Sequence, residues 1–254
     1  MVTGGAGFIG SNFVHYMLRC YPDLKLVNLD ALTYAGNLAN LKPVDGDPRY
    51  RFLKADIRDG QAMAKALADF DPDIVMHLAA ESHVDRSIDV PCEFVMTNVV
   101  GTVQLLEAAR HYWAELSEPK RCEFRFLHVS TDEVYGSIAS GSWPETHPLE
   151  PNSPYSAAKA ANINFAQCVA KDLAGHGIRV NTICPGMIET PLNRGVWQAW
   201  NDRRPQEAKQ DYHEWAGGKI ENAVPLGRWQ QPEDVADMAV FLSSQRAHNV
   251  TGQT

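Results

Sequence analysis

Thr3-Gly4-Gly5-Ala6-Gly7-Phe8-Ile9-Gly10, almost at the start of the chain, is the stretch whose reading decides the fold. A glycine-rich turn between a first strand and a first helix lets the backbone close on a pyrophosphate. The helix N-terminus adds unpaired N–H groups and partial positive charge. Asp30 stands twenty residues past Gly10, at the end of the apolar run Lys25-Leu26-Val27-Asn28-Leu29. A carboxylate placed there accepts hydrogen bonds from an adenosine ribose and repels a 2′-phosphate. The pattern is that of a dinucleotide site preferring NAD. Taken singly, the glycines make only a tight turn and Asp30 only a solvated turn residue. The strand joining them favours the site.

Working outward, short apolar runs alternate with longer helical patterns. Strands are expected at Tyr50–Ala55, Ile74–Leu78, Phe124–Ser130 and Ile178–Cys184, and helices at Gln61–Phe70, Cys92–Trp113 and Tyr155–Gly175. Such alternation predicts an α/β fold: a Rossmann-type doubly wound parallel sheet with helices on both faces. Residues 1–254 read as one domain, with a loop over Gly136–Pro154 and a helical lid at about 191–223 holding Trp197, Trp200 and Trp215. The tryptophans are expected to pack the lid rather than stack on a sugar. Arg228–Asp234 reads as a helix entrance with Pro232 near its first turn. Both ends read as short: two residues precede the glycine loop, and Thr251-Gly252-Gln253-Thr254 reads as the turn before a further strand.

A net charge of −8 argues against nucleic acid as a partner. No apolar run is long enough for a bilayer, and no leader is expected before the first strand. The five cysteines are scattered without a C-x-x-C pair, which suits a reducing cytoplasm and predicts neither a metal site nor a disulfide framework.

Tyr155 and Lys159 lie at i and i+4, on one helical face. An ammonium and a positive nicotinamide ring both favour the phenolate, so Tyr155 can take a proton from an alcohol while Lys159 holds the nicotinamide ribose. The competing reading is an ordinary surface pair. Thr131, Asp132 and Glu133 run off a strand's C-terminal end. Thr131 can polarise a substrate oxygen, and Asp132 and Glu133 are a candidate general acid and base, one held protonated by mutual repulsion. Equally, Ser130 or Thr131 can cap a helix whose first turn carries the acids. Cofactor contacts are expected from Gly4, Gly7, Phe8, Ile9, Gly10, Asp30, Asp56, Ile57, Leu78, Ala79, Ala80, Asn98, Ser130, Tyr155, Lys159, Pro185 and Thr190. Leu78-Ala79-Ala80 offers close approach, Asp56 an adenine contact, and Pro185–Thr190 a backbone run beside the nicotinamide. Asp56, Asn98, Glu81 and His83 read equally well as ordinary polar positions.

Together these residues resemble the short-chain dehydrogenase/reductase superfamily. Residues 1 to about 160 resemble the dTDP-glucose 4,6-dehydratase family of its extended branch. That resemblance rests on Thr3–Gly10, Leu29–Asn37, Leu78–Ser87, Ser130–Gly136 and Tyr155–Lys159. From about Ala160 the chain is similar to the short, single-domain oxidoreductases, through Gly177–Asn181, Pro185–Thr190, Pro225–Arg228 and Pro232–Ala236. A fusion of two relatives by recombination or design explains the switch; natural divergence is the alternative.

The first resemblance implies a dehydratase of a nucleotide-diphosphate hexose. Tyr155, assisted by Thr131, deprotonates the sugar 4-hydroxyl as hydride passes to NAD. Glu133 removes the C5 proton, Asp132 protonates the departing 6-hydroxyl, and the hydride returns to C6. The family's longer C-terminal lobe, which grips the nucleotide-diphosphate part of the substrate, is absent here, which implies weak or no turnover. The second resemblance implies an NAD-dependent dehydrogenase or reductase of a small alcohol, polyol or ketone. A third possibility is a dinucleotide-binding scaffold without useful catalysis. Both branches imply a homo-dimer or tetramer through the long helix near Thr97–Trp113 and the tyrosine–lysine helix.

Overall fold

The computed structural model describes every residue except 139–142, 145–146, 190 and 225, with backbone only at 191–192 and 222–223. Six parallel strands form one sheet: β1 (Val2–Thr3), β2 (Leu26–Asp30), β3 (Tyr50–Lys54), β4 (Ile74–His77), β5 (Arg125–Val129) and β6 (Arg179–Ile183). Their order is β3-β2-β1-β4-β5-β6, a Rossmann arrangement whose direction reverses at β1. The strands match the expected ones to within one or two residues at each end.

β1 holds two residues, yet it is central. Val2 stands opposite Asn28 on one side and Met76 on the other. Helices cover both faces, so β2, β5 and β6 are buried along their whole length, as expected of a parallel sheet. On one face α1 (Phe8–Cys20) and α10 (Pro232–Ser243) enclose Phe13, Val14, Leu18, Val235 and Ala239. On the other, α2 (Gly60–Phe70), α5 (Thr102–Glu115) and α7 (Pro154–Ala174) enclose Met63, Leu67, Leu105, Trp113 and Ala166.

Local chemistry sets the helix starts. Asp59 accepts from the amides of Gln61 and Ala62 to open α2. Ser153 and Ser156 bond reciprocally around Pro154 to open α7. Gln231 and Asp234 do the same around Pro232 at α10, the helix entrance read from the sequence. Arg179, buried at the start of β6, donates to the carbonyls of Leu242 (2.7 Å) and Ser244 (3.1 Å), satisfying the C-terminal end of α10. The far edge of β6 is covered in part by the chain's last residues: Gly252 N donates to Val180 O (2.8 Å) and Thr182 N to Gln253 O (2.9 Å).

One helix departs from expectation. The single helix expected over Cys92–Trp113 is preceded by α3 (Val84–Asp89) and runs through three windings: α4 (Pro91–Phe94), a π-helical stretch Val95–Gly101, and α5, which ends at Glu115. Gly101 lets Ile57 pack against this stretch, since a Cβ there would meet Ile57 Cδ1 at 2.8 Å. After the short α6 (Glu118–Glu123) comes β5. The expected lid contains α8 (Pro191–Asp202) and α9 (Tyr212–Ala223). Trp197, Trp200 and Trp229 pack there against Tyr212 and Trp215, in keeping with a packing role. No described helix is long and apolar enough to cross a membrane.

The glycine turn is the tightest point of the fold. Gly4 has φ +74°, and a Cβ on it would lie 2.5 Å from Ala79 N. A Cβ on Gly10 would overlap the Gly4 carbonyl oxygen and stand 2.7 Å from Gly5 Cα. We expect Gly10→Ala to cost about 1–3 kcal/mol, because a backbone neighbour must move. Calorimetry would then show Tm lowered by several degrees; an unchanged Tm would mean that the turn is not packed this way.

Candidate active site

The crevice above the C-terminal ends of β1 and β4 collects most of the residues singled out above, where such sheets place their ligands. Gly7 caps α1 in an extended conformation (φ −72°, ψ 177°), so the first amides of the helix face the crevice rather than an intrahelical acceptor. Gly7 N donates to Gly4 O at 3.2 Å, closing the turn. Phe8 is exposed, and Ile9 packs into the core beneath. Asp30 is a buried strand-end carboxylate, not a solvated turn residue. It accepts from Ala6 N (2.9 Å) and Leu32 N (2.8 Å), keeping lone pairs for a ligand hydroxyl. Asn28, two residues earlier on the same strand face, accepts from Gly5 N at 3.0 Å. Sequence reasoning passed over Asn28; its i, i+2 relation to Asp30 was the available signal.

Below the turn lies a buried hydrogen-bonded chain. Thr3 Oγ1 accepts from Ala79 N (3.3 Å) and bonds His77 Nδ1 (2.7 Å). His77 Nε2 bonds Thr102 Oγ1 (3.0 Å), which donates to Asn98 O (2.6 Å). Since the Thr102 proton goes to Asn98, His77 must donate from Nε2 and accept at Nδ1. That is a neutral imidazole, consistent with burial pulling its pKa down to about 3. His128 stacks beside it with ring centroids 4.9 Å apart, and burial holds it far below the usual histidine range too. Asn162, on the tyrosine–lysine helix, donates to Asn98 O at 2.7 Å and ties that helix to the chain.

Several sequence expectations are corrected here. The Asn98 amide is engaged by backbone: Oδ1 accepts from Glu81 N (2.9 Å) and Nδ2 donates to Glu81 O (2.8 Å). At 1% exposure it shapes the turn after β4, with its amide already committed there. Ile57 is core, so only its backbone is available. The Asp56 carboxylate pairs with Arg58 at 2.6 Å, which competes with an adenine contact. Leu78, Ala79 and Ala80 do line the turn beside Gly4. Thr190 lies outside the described residues. Glu81 is buried and paired with Arg86 (3.0 Å), and His83 Nδ1 caps Arg86 N. Tyr34, which sequence reasoning left without a role, accepts from Ser82 N and His83 N while Arg86 stacks on its ring.

The candidate acid–base cluster sits at the end of β5. Thr131 caps the 3-10 turn Asp132–Tyr135, accepting from Glu133 N, and its hydroxyl donates to Asp132 Oδ1 at 3.3 Å. Capping and placement in the crevice thus coexist. Burial raises the Asp132 carboxyl pKa; burial and then the Asp132 charge raise that of Glu133, which still presents surface at the crevice mouth. Ser130 is buried, with its amide on Ile183 O.

Tyr155 and Lys159 are both buried, so the surface-pair reading fails. The expectation that the ammonium favours the phenolate is not met in the bare protein, where burial dominates. Burial and then the Glu133 charge push the Tyr155 pKa well up, opposed by the Thr131 hydroxyl, while Lys159 Nζ turns to Val129 O at 2.9 Å. Burial lowers Lys159 to about 8. Pro185 is buried at the end of β6, and its carbonyl accepts from Asp132 N at 3.4 Å. Among the described residues no cluster could hold a metal ion.

A base with a depressed folded pKa binds fewer protons folded than unfolded between the two pKa values, so stability rises with pH there. For Lys159 that window runs from about pH 8 to the ordinary lysine value of 10.5. Chemical denaturation of the wild type and Lys159→Met should diverge across it, the wild type gaining a few kcal/mol relative to the variant. Parallel curves would show that burial does not depress the Lys159 pKa.

The family model described as GDP-mannose 4,6 dehydratase matches residues 1–184, and the one described as Enoyl-(Acyl carrier protein) reductase matches residues 136–254. A probable dTDP-glucose 4,6-dehydratase of Sinorhizobium fredii is 56% identical over 167 residues, covering 65% of this chain and 47% of that protein. The dTDP-glucose 4,6-dehydratase of Haemophilus influenzae is 50% identical over 169 residues, 66% of this chain and 50% of that one. The chain thus spans about half the length of the curated relatives it matches. Among solved structures, DesIV from Streptomyces venezuelae, a dTDP-glucose 4,6-dehydratase with NAD and TYD bound, superposes with TM-score 0.71 at 38% identity, covering 99% of this chain and 73% of DesIV. A short chain dehydrogenase from Leptospira borgpetersenii with bound NAD+ superposes with TM-score 0.70 at 25% identity, covering 99% and 87%.

Proposed function

Since the chain belongs to the GDP-mannose 4,6 dehydratase family, within the short-chain dehydrogenase/reductase superfamily, we propose that it is an NAD-dependent dehydratase of a nucleotide-diphosphate hexose of the dTDP-glucose kind. The observation carrying this reading is the convergence of Thr131, Asp132, Glu133 and Tyr155 in one crevice, with burial keeping both carboxyls easier to protonate than usual. A plain alcohol dehydrogenase needs one proton acceptor. Elimination of water needs a base for the C–H proton and an acid for the leaving hydroxyl as well.

The residues present fit NAD. The cradle between Gly4 and Gly10 is one that a Cβ would fill, and the Asp30 carboxylate ends the adjacent strand. Gly7, Phe8, Ile9 and Gly10 would take the pyrophosphate on the first amides of α1, Asp30 the adenosine ribose, and Leu78–Ala80, Ser130, Pro185, Tyr155 and Lys159 the nicotinamide half. Bound there, NAD supplies a reversible hydride acceptor. Tyr155 takes the 4-hydroxyl proton with Thr131 holding that oxygen. The raised Tyr155 pKa means that this transfer depends on nearby positive charge. Glu133 removes the C5 proton, and Asp132, protonated, gives its proton to the departing 6-hydroxyl. Remote contacts to the nucleotide would come from the segment after β6, which matches a different family model, so we expect turnover below that of full-length relatives.

The overlap of the two family matches at residues 136–184 supports a chain that joins two branches of the superfamily. It also supports a second reading, an oxidoreductase of a small alcohol, polyol or ketone. Val95, Met96 and Phe165 are exposed on the π-helical stretch and α7, which suits a homo-dimer or tetramer through these helices. The free, unpaired cysteines suit a cytoplasmic protein.

NAD at about 100 times its Kd should stabilise the fold by roughly 2.7 kcal/mol, with NADP giving a smaller shift because of Asp30. Incubation with dTDP-glucose should yield a 4-keto-6-deoxy sugar by NMR without accumulation of NADH, and Glu133→Gln should abolish it. NADH accumulating with a simple alcohol would favour the oxidoreductase; an NAD-induced shift with neither turnover would leave a binding scaffold.

A further inference from the structure

Gln230, in the loop before α10, falls within the helix entrance Arg228–Asp234, to which the sequence assigns no catalytic role, yet the chain's own folding directs it at the Asp132–Glu133 cluster. Gly186 N donates to Gln230 Oε1 at 2.8 Å. Gln230 itself is fixed by its backbone: its amide donates to Met187 O at 2.9 Å, and it forms a bridge with Ile188. Gly186 lies beside Asp132, since a Cβ on it would stand 3.8 Å from Asp132 Oδ2 and 3.5 Å from Gln230 Oε1. The preceding Pro185 carbonyl accepts from Asp132 N. The Pro185–Gly186 turn is therefore held between Asp132 on one side and the Gln230 amide on the other.

We propose that Gln230 is a positioning residue, which seats the Pro185–Gly186 turn over Asp132 and so fixes the acid's geometry and its shielding from water. The proposal rests on the reading of Asp132 as the general acid. Its interest lies in where Gln230 comes from: it stands beyond residue 184, where the dehydratase-family match ends, and inside the second matching segment. The groups that face Asp132 are Glu133 on its own turn, Tyr155 on α7 and Cys184 at the end of β6, each interacting with its charge. Gln230 adds no charge to this set. It acts through the turn, by keeping water from the carboxyl, which favours the protonated acid.

Two variants separate this role from a merely structural one. Gln230→Ala removes the acceptor and lets the turn open, so Asp132 should ionise more readily. Gln230→Glu keeps an acceptor for Gly186 N but brings a negative charge near Asp132, so Asp132 should hold its proton more tightly. The main-chain bonds of residue 230 survive in both. The alkaline limb of kcat/KM against pH should move down by about one pH unit in the alanine variant and up in the glutamate variant. kcat should fall about tenfold in the alanine variant with KM little changed. The Asp132 carboxyl titration, followed by carbon-13 NMR and assigned by its loss in Asp132→Asn, should move in the same opposite senses. Identical titration in all three proteins overturns the proposal. If the wild type shows no turnover the NMR titration still decides it, and only the dehydratase reading falls.

Discussion

Everything at the crevice depends on one close approach, the Gly4 carbonyl lying where any side chain at position 10 would have to stand. That contact brings the first turn of α1 down onto the end of β1, and the absence of a Cβ at Gly4 lets the same turn lie against Ala79. Two polar side chains on β2 then hold the turn open as a cradle, Asn28 on the Gly5 amide and Asp30 on the Ala6 amide. The central strand has only two residues, yet hydrogen bonds from β2 and β4 fix it on both sides.

The second support is polar and buried. Thr3, His77, Thr102 and Asn98 form one hydrogen-bonded line from the glycine turn to the π-helical stretch, and Asn162 joins α7 to it. The wide winding of residues 95–101 accompanies an inward Asn98, whose amide pins the backbone of Glu81. A fully satisfied buried network of this kind specifies one arrangement, since any slip leaves a donor or acceptor stranded without water. It ties α7, and with it Tyr155 and Lys159, to the cofactor loop through side chains rather than through the sheet alone.

Electrostatics divide the site. Asp132 and Glu133 are both pushed toward their protonated forms by burial, which suits groups that exchange protons near neutrality. Tyr155 is pushed the same way by burial, and the Lys159 ammonium, hydrogen-bonded to the Val129 carbonyl, does not offset that burial. The phenol is thus a poor base in the bare protein. In the function proposed above, positive charge brought by a bound dinucleotide would be the condition for its use as a base.

Much of this was legible in the chain. The spacing of the glycines to Asp30 and the alternation of apolar runs with helical patterns determined a parallel doubly wound sheet, because backbone sterics and strand–helix periodicity are local properties. The i, i+4 spacing placed Tyr155 and Lys159 on one face, and the order Thr131-Asp132-Glu133 placed them at a strand end. Only the tertiary structure decided what each side chain does with its hydrogen bonds. It sent Lys159 to Val129, engaged Asn98 on Glu81, and brought Gln230 to the turn beside Asp132. Those partners lie up to tens of residues apart in sequence, and their choice depends on burial. A polar group removed from water must take whichever partner the packing sets within reach, and no local pattern in the sequence names that partner.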